Sequence, residues 1–249
     1  MDLTGKTALV TGASRGIGAA AAVLLARRGA AVVVNYLKNK TAAEAVVKTI
    51  ADSGGKAVAV QADVRDRQAV KAMAAEAASV FGPIDVLILN AGAEVPFKPF
   101  VNSTFDDFER KVMGELKGFF YPLQEIIPSM ITRKSGCIVG ISSGLSRHPG
   151  YGFSAHTTVK SAVDGLMKSL ALELGPMGIR VNTVAPGLTL TDATAWLSKE
   201  RITAMAAATP MQRVATPEDI AGAVVMLVSG DAGFITGAYI PVSGGVQMI

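Results

Sequence analysis

Cysteine is almost absent from this sequence of 249 residues. The single thiol, Cys137, excludes an internal disulfide and favours a reducing compartment. The sequence also lacks an uninterrupted apolar stretch of about 18 residues, which a membrane-spanning helix requires. Its first five residues show neither the basic nor the apolar segment of a signal peptide. We therefore expect a cytoplasmic protein with no membrane partner.

Charge of one sign is not concentrated anywhere along the chain. Lys and Arg number 24 against 20 Asp and Glu, which gives a net charge of +4 without a long basic run. This balance predicts no nucleic-acid partner, and we predict no metal site. Half of the residues are hydrophobic, so a sizeable core is possible. Because no linker, repeat or low-complexity segment divides the chain, we expect one domain over residues 1–249.

A glycine-punctuated turn dominates the N-terminal part of the sequence. A short apolar run at 7–10 predicts a buried strand, Gly12, Gly16 and Gly18 follow, and an Ala-rich segment at 17–28 predicts a helix. Strand, glycine turn and helix in this order are typical of a site for a dinucleotide pyrophosphate, because backbone N–H groups at the helix start face the phosphates. The alternative is a tight turn without a ligand.

Strands and helices alternate along the whole sequence. This pattern predicts a single doubly wound α/β fold of the Rossmann type, with a parallel sheet of about seven strands and helices on both faces. Ligands of such sheets bind outside the carboxyl ends of the strands. The predicted strands lie at 7–10, 31–36, 56–62, 84–89, 137–142, 179–185 and 239–242.

Several helix boundaries can also be predicted. Pro122 and Pro128 predict kinks or an early end in the long helix that runs towards residue 133. Residues 187–213 form the longest irregular region. We expect them to form either a mobile lid over an apolar substrate or helices packed on the core. The predicted N-terminal caps are Thr41 (with Glu44), Asp66, Ser103 (with Asp106) and Thr216.

Five short motifs resemble those of one known family. The sequence Thr-Gly-Ala-Ser-Arg-Gly-Ile-Gly at 11–18, Asn-Ala-Gly at 90–92, Ser143, Lys160, and Pro-Gly at 186–187 are similar to the motifs of classical short-chain dehydrogenases/reductases. The resemblance covers essentially the whole chain and is greatest to β-ketoacyl-acyl-carrier-protein reductases. It implies a homo-oligomer, with a homotetramer as the expected state, and reduction of a carbonyl by a nicotinamide cofactor.

Charge near the second predicted strand indicates which cofactor is used. NAD enzymes usually carry an acidic residue after this strand. This chain has no carboxylate there: Asn35 stands near the end of the strand and Lys38 three residues later. Arg15 in the glycine turn and Lys38 could both reach a 2′-phosphate, which favours NADPH. The alternative is that both are solvated surface cations. The resemblance implies cofactor contacts for Gly12, Ser14, Arg15, Gly16, Ile17, Gly18, Asn35, Lys38, Asp63, Val64, Asn90, Ala91, Gly92, Lys160, Pro186, Gly187 and Thr191.

The catalytic motif of the family is only partly present. Ser143 and Lys160 match it, but His156 occupies the position of the usual tyrosine, and Glu115 that of the usual asparagine. A histidine can donate a proton or a hydrogen bond to an oxyanion. We expect Lys160 to lower its pKa, and a nearby Glu115 to raise it and to give an ionisation close to neutrality. The four residues then form an altered catalytic set; the alternative is a degraded site.

Two other functions fit the loss of the tyrosine. Enoyl-thioester reduction needs hydrogen-bond stabilisation of an enolate oxygen more than a strong acid. A related enoyl-reductase tyrosine position is Phe153 here, and Tyr151 lies close by in sequence. A non-catalytic NADPH-binding subunit that pairs with an active homologue is the second alternative.

The substrate is predicted from the resemblance and from apolar residues. The main prediction is a 3-oxoacyl thioester or related ketide, for which acyl carrier protein is the expected carrier. Residues 93–97 and the region around Trp196 are expected to form apolar pocket walls.

Overall fold

The computed structural model describes residues 1–248, which fold around one parallel sheet. All six strand pairings are parallel, and the spatial order is β3-β2-β1-β4-β5-β6-β7. The predicted fold class is therefore confirmed. The strands are β1 (Thr7–Val10), β2 (Ala31–Tyr36), β3 (Lys56–Gln61), β4 (Val86–Leu89), β5 (Gly136–Ile141), β6 (Ile179–Pro186) and β7 (Tyr239–Val242).

Helices cover both faces of the sheet. On one face α1, α2 and α7 pack against the strands, and on the other α3, α4 and α5 do so. Short 3₁₀ helices connect several of these elements. The α-helices are α1 (Gly16–Arg27), α2 (Lys40–Asp52), α3 (Arg67–Phe81), α4 (Phe105–Arg133), α5 (Ser154–Leu174), α6 (Lys199–Ala208) and α7 (Pro217–Val228).

The apolar strand residues explain this layering. In β1, Ala8 and Val10 join the core beneath α1 and α7, whereas Leu9 joins the core beneath α3, α4 and α5. Successive side chains of a strand point to opposite faces, so a continuous apolar run is buried on both sides. The strand order reverses between β1 and β4, which creates a crevice at their carboxyl ends.

Two predicted helix caps were wrong by one or two residues. The side chain of Asn39, rather than Thr41, accepts the Ala42 N–H at the start of α2. Thr104 and Asp107 form the capping box of α4, in place of the predicted pair one residue earlier. Asn and Thr both supply the oxygen that such a cap needs, so sequence alone allowed either register.

The proline prediction was also wrong in one respect. Helix α4 does not end early at Pro122 or Pro128 but continues to Arg133. Buried residues Leu123, Ile126 and Met130 lie on the same helix, and their packing favours a continued helix despite the missing N–H groups.

Residues 187–213 contain the ten-residue helix α6, none of whose residues is buried. It therefore lies at the surface and is not packed into either core.

Among residues 1–248, no helix of membrane-spanning length is apolar enough to cross a bilayer. Groups of three or more metal-ligating side chains are likewise missing from this part of the chain.

Candidate active site

The glycine turn can pack closely against its neighbours only because side chains are missing. Gly12 and Gly16 adopt φ angles of +62° and +56°, which L side chains rarely adopt. A Cβ on Gly18 would lie 2.5 Å from Asn90 Nδ2 and 2.6 Å from the Gly12 carbonyl oxygen. The start of α1 can therefore pack directly against the end of β4 and keep its N–H groups facing outward.

Asn90 and Thr11 fasten the turn to the neighbouring strand end. Asn90 Nδ2 donates to the Thr11 and Gly12 carbonyls at 2.9 and 3.1 Å. Thr11 Oγ1 in turn accepts from the backbone N–H groups of Asn90 and Ala91 at 2.9 and 3.1 Å. Thr11 belongs to the motif at 11–18, but it was not predicted as a site residue.

Asn35 also supports the turn from within the fold. Its side chain is buried, Oδ1 accepts the Gly12 N–H at 3.0 Å, and Nδ2 donates to the Ala62 carbonyl at 3.1 Å. The amide is thus committed to holding the turn against β2 and β3.

The cations considered for phosphate binding are exposed. Lys38 lies in the bend after β2. Arg15 stands at the N-cap position of α1 without a side-chain cap. Its Nη1 is 3.5 Å from a carboxylate oxygen of Asp192, with both side chains more than 70% exposed. Such an exposed ion pair contributes little to stability, so the Arg15 guanidinium can bind another anion instead. Thr191 lies beside the turn, because a Cβ on Gly16 would be 3.4 Å from its methyl group.

Asp63 and Val64 follow β3 at the same sheet edge. Arg65 forms a bidentate contact with the Asp63 carboxylate, its Nε at 2.9 Å and its Nη2 at 2.7 Å. This hydrogen-bonded partner lowers the pKa of Asp63 below its usual range, although partial burial opposes the shift. Val64 packs beneath α4, where a Cβ on Gly118 would be 3.2 Å from it.

The strand ends β5 and β6 supply the remaining backbone. Ser143 follows β5, its Oγ accepts the Leu145 N–H at 3.2 Å, and its carbonyl accepts the Tyr239 hydroxyl at 3.3 Å. The N–H of Gly187, which follows Pro186, donates to the Val242 carbonyl at 2.9 Å. Tyr239 was not predicted as a site residue, and no spacing in the sequence relates it to Ser143.

Helix α5 carries His156 and Lys160 one turn apart, on one face. Lys160 is buried, and its Nζ donates to the Ile141 carbonyl at 2.7 Å. The same ammonium lies 5.8 Å from the centre of the Phe119 ring. These contacts aim Lys160 at the carboxyl end of β5.

Glu115 lies between two lysines in the interior. Lys160 Nζ is 2.5 Å from its Oε1, and Lys111 Nζ donates to its Oε2. The side chains of Glu115 and Lys111 are 0% and 2% exposed. Burial opposes ionisation, but Lys160 and Lys111 outweigh it and hold the pKa of Glu115 at about 2. A Cβ on Gly92 would lie 3.8 Å from Oε2, so this carboxylate borders the predicted cofactor loop.

The electrostatics of His156 differ from the sequence-based expectation. Burial, Lys160 and Lys111 lower its pKa to about 3, and Glu115 opposes them without prevailing. The expected ionisation near neutrality was therefore wrong, because burial of the imidazole and the charges of the two lysines outweigh the Glu115 carboxylate. His156 is a neutral imidazole at physiological pH, and its Nδ1 is buried without a hydrogen-bond partner in the described residues.

An aromatic cluster stands beside this histidine. Phe97 contacts Phe153 and Trp196, with ring centroids 5.0 and 5.3 Å apart. The Phe153 ring is 6.2 Å from that of His156. Residues 97 and 196, predicted as separate apolar walls, are thus brought together. Tyr151 is 80% exposed.

The comparisons with known proteins agree with this architecture. A family model described as enoyl-(acyl carrier protein) reductase matches residues 12–247. The 3-oxoacyl-[acyl-carrier-protein] reductase FabG of Staphylococcus aureus is 41% identical over 243 residues, which cover 98% of each chain.

The chain belongs to the short-chain dehydrogenase/reductase family.

Other members of this family differ in what they act on. The L-rhamnose 1-dehydrogenase (NAD(P)(+)) of Sphingomonas sp. is 40% identical over 250 residues, covering 99% of this chain and 98% of the relative. A solved 7α-hydroxysteroid dehydrogenase, complexed with NADH and 7-oxo glycochenodeoxycholic acid, matches with a TM-score of 0.93 and 36% identity. That match covers 99% of this chain and 96% of the other.

Adding one methyl group tests the close packing of the glycine turn in this short-chain dehydrogenase/reductase. Gly18→Ala is expected to destabilise the protein by about 1–3 kcal/mol, as overpacking does, because its Cβ would overlap Asn90 and a backbone oxygen. Gly222→Ala, in a helix with open space around the added Cβ, is the control and is expected to be neutral or stabilising. Urea unfolding measures both; a Gly18→Ala protein as stable as the wild type would contradict the close approach.

Proposed function

We propose that this protein is an NADPH-dependent oxidoreductase that reduces a carbonyl, with a 3-oxoacyl thioester as the most plausible substrate. The observation that carries the proposal is the placement of His156 and Lys160 on one face of α5 at the sheet edge that also bears the glycine turn. Relatives named as 3-oxoacyl-acyl-carrier-protein reductase and as NAD(P)-dependent dehydrogenase support it. Acyl carrier protein is the proposed carrier, and a homotetramer in the cytoplasm the proposed state.

The residues present fit a dinucleotide. A Cβ at Gly12 would lie 3.0 Å from Ala91 Cα, and one at Gly18 would lie 2.5 Å from Asn90 Nδ2, so only glycines let the turn pack this closely against the end of β4. Such a close-packed strand–turn–helix unit is the arrangement that holds a pyrophosphate. In the proposal, the N–H groups at the start of α1 hold the pyrophosphate, and Lys160 holds the nicotinamide ribose. When bound, the reduced nicotinamide would supply a hydride to the carbonyl carbon, and the proton that completes the alcohol would come from solvent water. Contacts with the rest of the cofactor are proposed for Ser14, Arg15, Gly16, Ile17, Lys38, Asp63, Val64, Ala91, Gly92, Pro186, Gly187 and Thr191.

His156 and Ser143 are the proposed partners of the substrate oxygen. A neutral imidazole donates one N–H, and a serine hydroxyl donates another, to the negative charge that develops on that oxygen. Lys160 contributes a fixed positive charge beneath them, balanced in part by Glu115. The aromatic cluster of Phe97, Phe153 and Trp196 would exclude water and contact an acyl chain.

The preference for NADPH depends on Arg15. Arg15→Ala is expected to raise the Kd of NADPH about ten- to a hundredfold, because a charge-assisted hydrogen bond to the 2′-phosphate is lost. The Kd of NADH should stay unchanged. Arg27→Ala, an exposed arginine at the other end of α1, serves as the control. Fluorescence titration measures both cofactors, and equal losses for NADPH and NADH would contradict this assignment.

Product analysis tests the proposed reaction. The wild-type protein is incubated with NADPH and acetoacetyl-CoA, and a 3-hydroxyacyl product detected by mass spectrometry would support carbonyl reduction. Binding of NADPH without turnover of any 3-oxoacyl or enoyl thioester would instead indicate a non-catalytic subunit that pairs with an active homologue.

The neutral state of His156 favours one second candidate, enoyl-thioester reduction. Hydride then adds to carbon, and the thioester oxygen becomes an enolate that a neutral hydrogen-bond donor can stabilise without transferring a proton. Crotonoyl-CoA separates the two candidates, because only an enoyl reductase converts it to the saturated thioester with consumption of NADPH.

A further inference from the structure

Lys111 is a buried lysine for which neither the motifs nor the proposed reaction accounts. It lies one turn before Glu115 on α4, and its side chain is 2% exposed. A lysine is almost never buried unless it is paired. Its Nζ donates to Glu115 and also to the carbonyl of Ala93, at 2.8 Å.

These contacts join two parts of the site. Ala93 directly follows Ala91 and Gly92, the loop proposed to line the cofactor, whereas Glu115 contacts the ammonium of Lys160. One lysine side chain therefore connects the loop after β4 with the helix α5. The 2.5 Å contact between Glu115 and Lys160 leaves no space for a water between them.

The three buried groups also compensate one another electrostatically. Lys111 and Lys160 are cations and Glu115 is an anion, so the cluster carries a single net positive charge. Without Lys111, the whole Glu115 charge would act on Lys160 alone. Without Glu115, two buried ammonium groups would face the same space, which is strongly unfavourable.

We propose that Lys111 is a positioning residue of this enzyme: through Glu115 it sets the place and effective charge of Lys160, and through Ala93 it holds the cofactor loop. The catalytic consequence of this positioning rests on the proposed function. The pairing itself can be measured without turnover, so failure of either proposal is distinguishable from failure of the other.

A double-mutant cycle between Lys111 and Glu115 tests the pairing. Lys111→Met and Glu115→Gln are each expected to raise the Kd of NADPH about tenfold or more, since small misplacements of a binding group have large effects. The double variant, which leaves Lys160 as the single buried charge, should bind NADPH more tightly than either single variant. Lys117→Met, an exposed lysine on the same helix, is the matched control.

The pKa of His156 is a second readout, which reports the charge that Lys111 places near the imidazole with or without a bound cofactor. The chain has two histidines, and His148 is exposed, so the two imidazole NMR signals can be distinguished. The charged groups that act on His156 are Lys160 on its own helix and Lys111 and Glu115 on α4. Loss of Lys111 should raise the pKa of His156, and Glu115→Gln should lower it.

The results that would overturn the proposal are specific. Wild-type NADPH affinity in Lys111→Met, together with an unchanged pKa of His156, would overturn it. Simple additivity of the effects of the two substitutions on the free energy of NADPH binding would also overturn it. If Lys111→Met does not fold, the comparison is between Glu115→Gln and the double variant. A double variant that binds NADPH no better than Glu115→Gln would then refute the pairing. If the wild type binds no nicotinamide cofactor, the proposed function fails, whereas non-additivity of Lys111→Met and Glu115→Gln in the free energy of unfolding still decides the pairing.

Discussion

His156→Ala is expected to lower kcat roughly 10²- to 10⁴-fold, the usual effect of removing a positioned acid, base or hydrogen-bond donor. The Kd of NADPH should barely change, because the glycine turn and Lys160 are proposed to hold the cofactor. Steady-state kinetics with the thioester that proves active, together with a cofactor titration, measure the two quantities. His148→Ala, which removes the exposed histidine, is the control.

The pH dependence sharpens this prediction. The pKa of His156 is lowered to about 3, so the imidazole stays neutral from pH 5 to 9 and contributes no ionisation to the rate in that range. A rate that follows a histidine-like ionisation near pH 6–7 would contradict the neutral-donor assignment. Unchanged turnover in His156→Ala would make the histidine a bystander and would leave Ser143 or Tyr151 as the oxygen partner.

His156→Tyr restores the residue that is usual at this position of the family. A phenol reaches further than an imidazole, and Lys160 lies one turn away to lower its pKa. A large gain in carbonyl reduction would indicate that the native site is impaired for this reaction. A loss would indicate that the site is adapted to histidine, together with Glu115.

The fold could be predicted from sequence because its signals are local. The apolar runs that form β1 and β2 are continuous, and Gly12 and Gly16, both with a positive φ, mark the turn between β1 and α1. Such patterns depend on alternation and on glycine geometry, not on distant partners.

The electrostatics of the site could not be predicted in the same way. Lys111 and Glu115 stand four residues apart, a spacing that commonly indicates an exposed ion pair on a helix. Their burial depends on how α4 packs against α5 and on the loop at Ala93. The sign of the His156 pKa shift follows from that packing, because burial of the imidazole is its largest cause, and Lys160 and Lys111 act in the same direction.

Glu115→Leu is expected to lower the free energy of unfolding by about 3–5 kcal/mol at pH 7, the effect of breaking a buried ion pair. Lys111 and Lys160 would then remain as two buried cations without their shared carboxylate. Urea unfolding followed by circular dichroism measures the change. Glu109→Leu, at an exposed position of the same helix, is the matched control and should stay within about 0.5 kcal/mol of the wild type.

Acid provides an independent test of the same carboxylate. The pKa of Glu115 is about 2 in the folded protein, below the ordinary value of 4.5, so its ionised form stabilises the native state above pH 4.5. That contribution is lost as the pH falls from 4.5 towards 2. The stability difference between wild type and Glu115→Leu should therefore narrow over this range, whereas the Glu109→Leu difference should not. A difference that is independent of pH would show that leucine acts only through its shape, and that the Glu115 charge does not stabilise the fold.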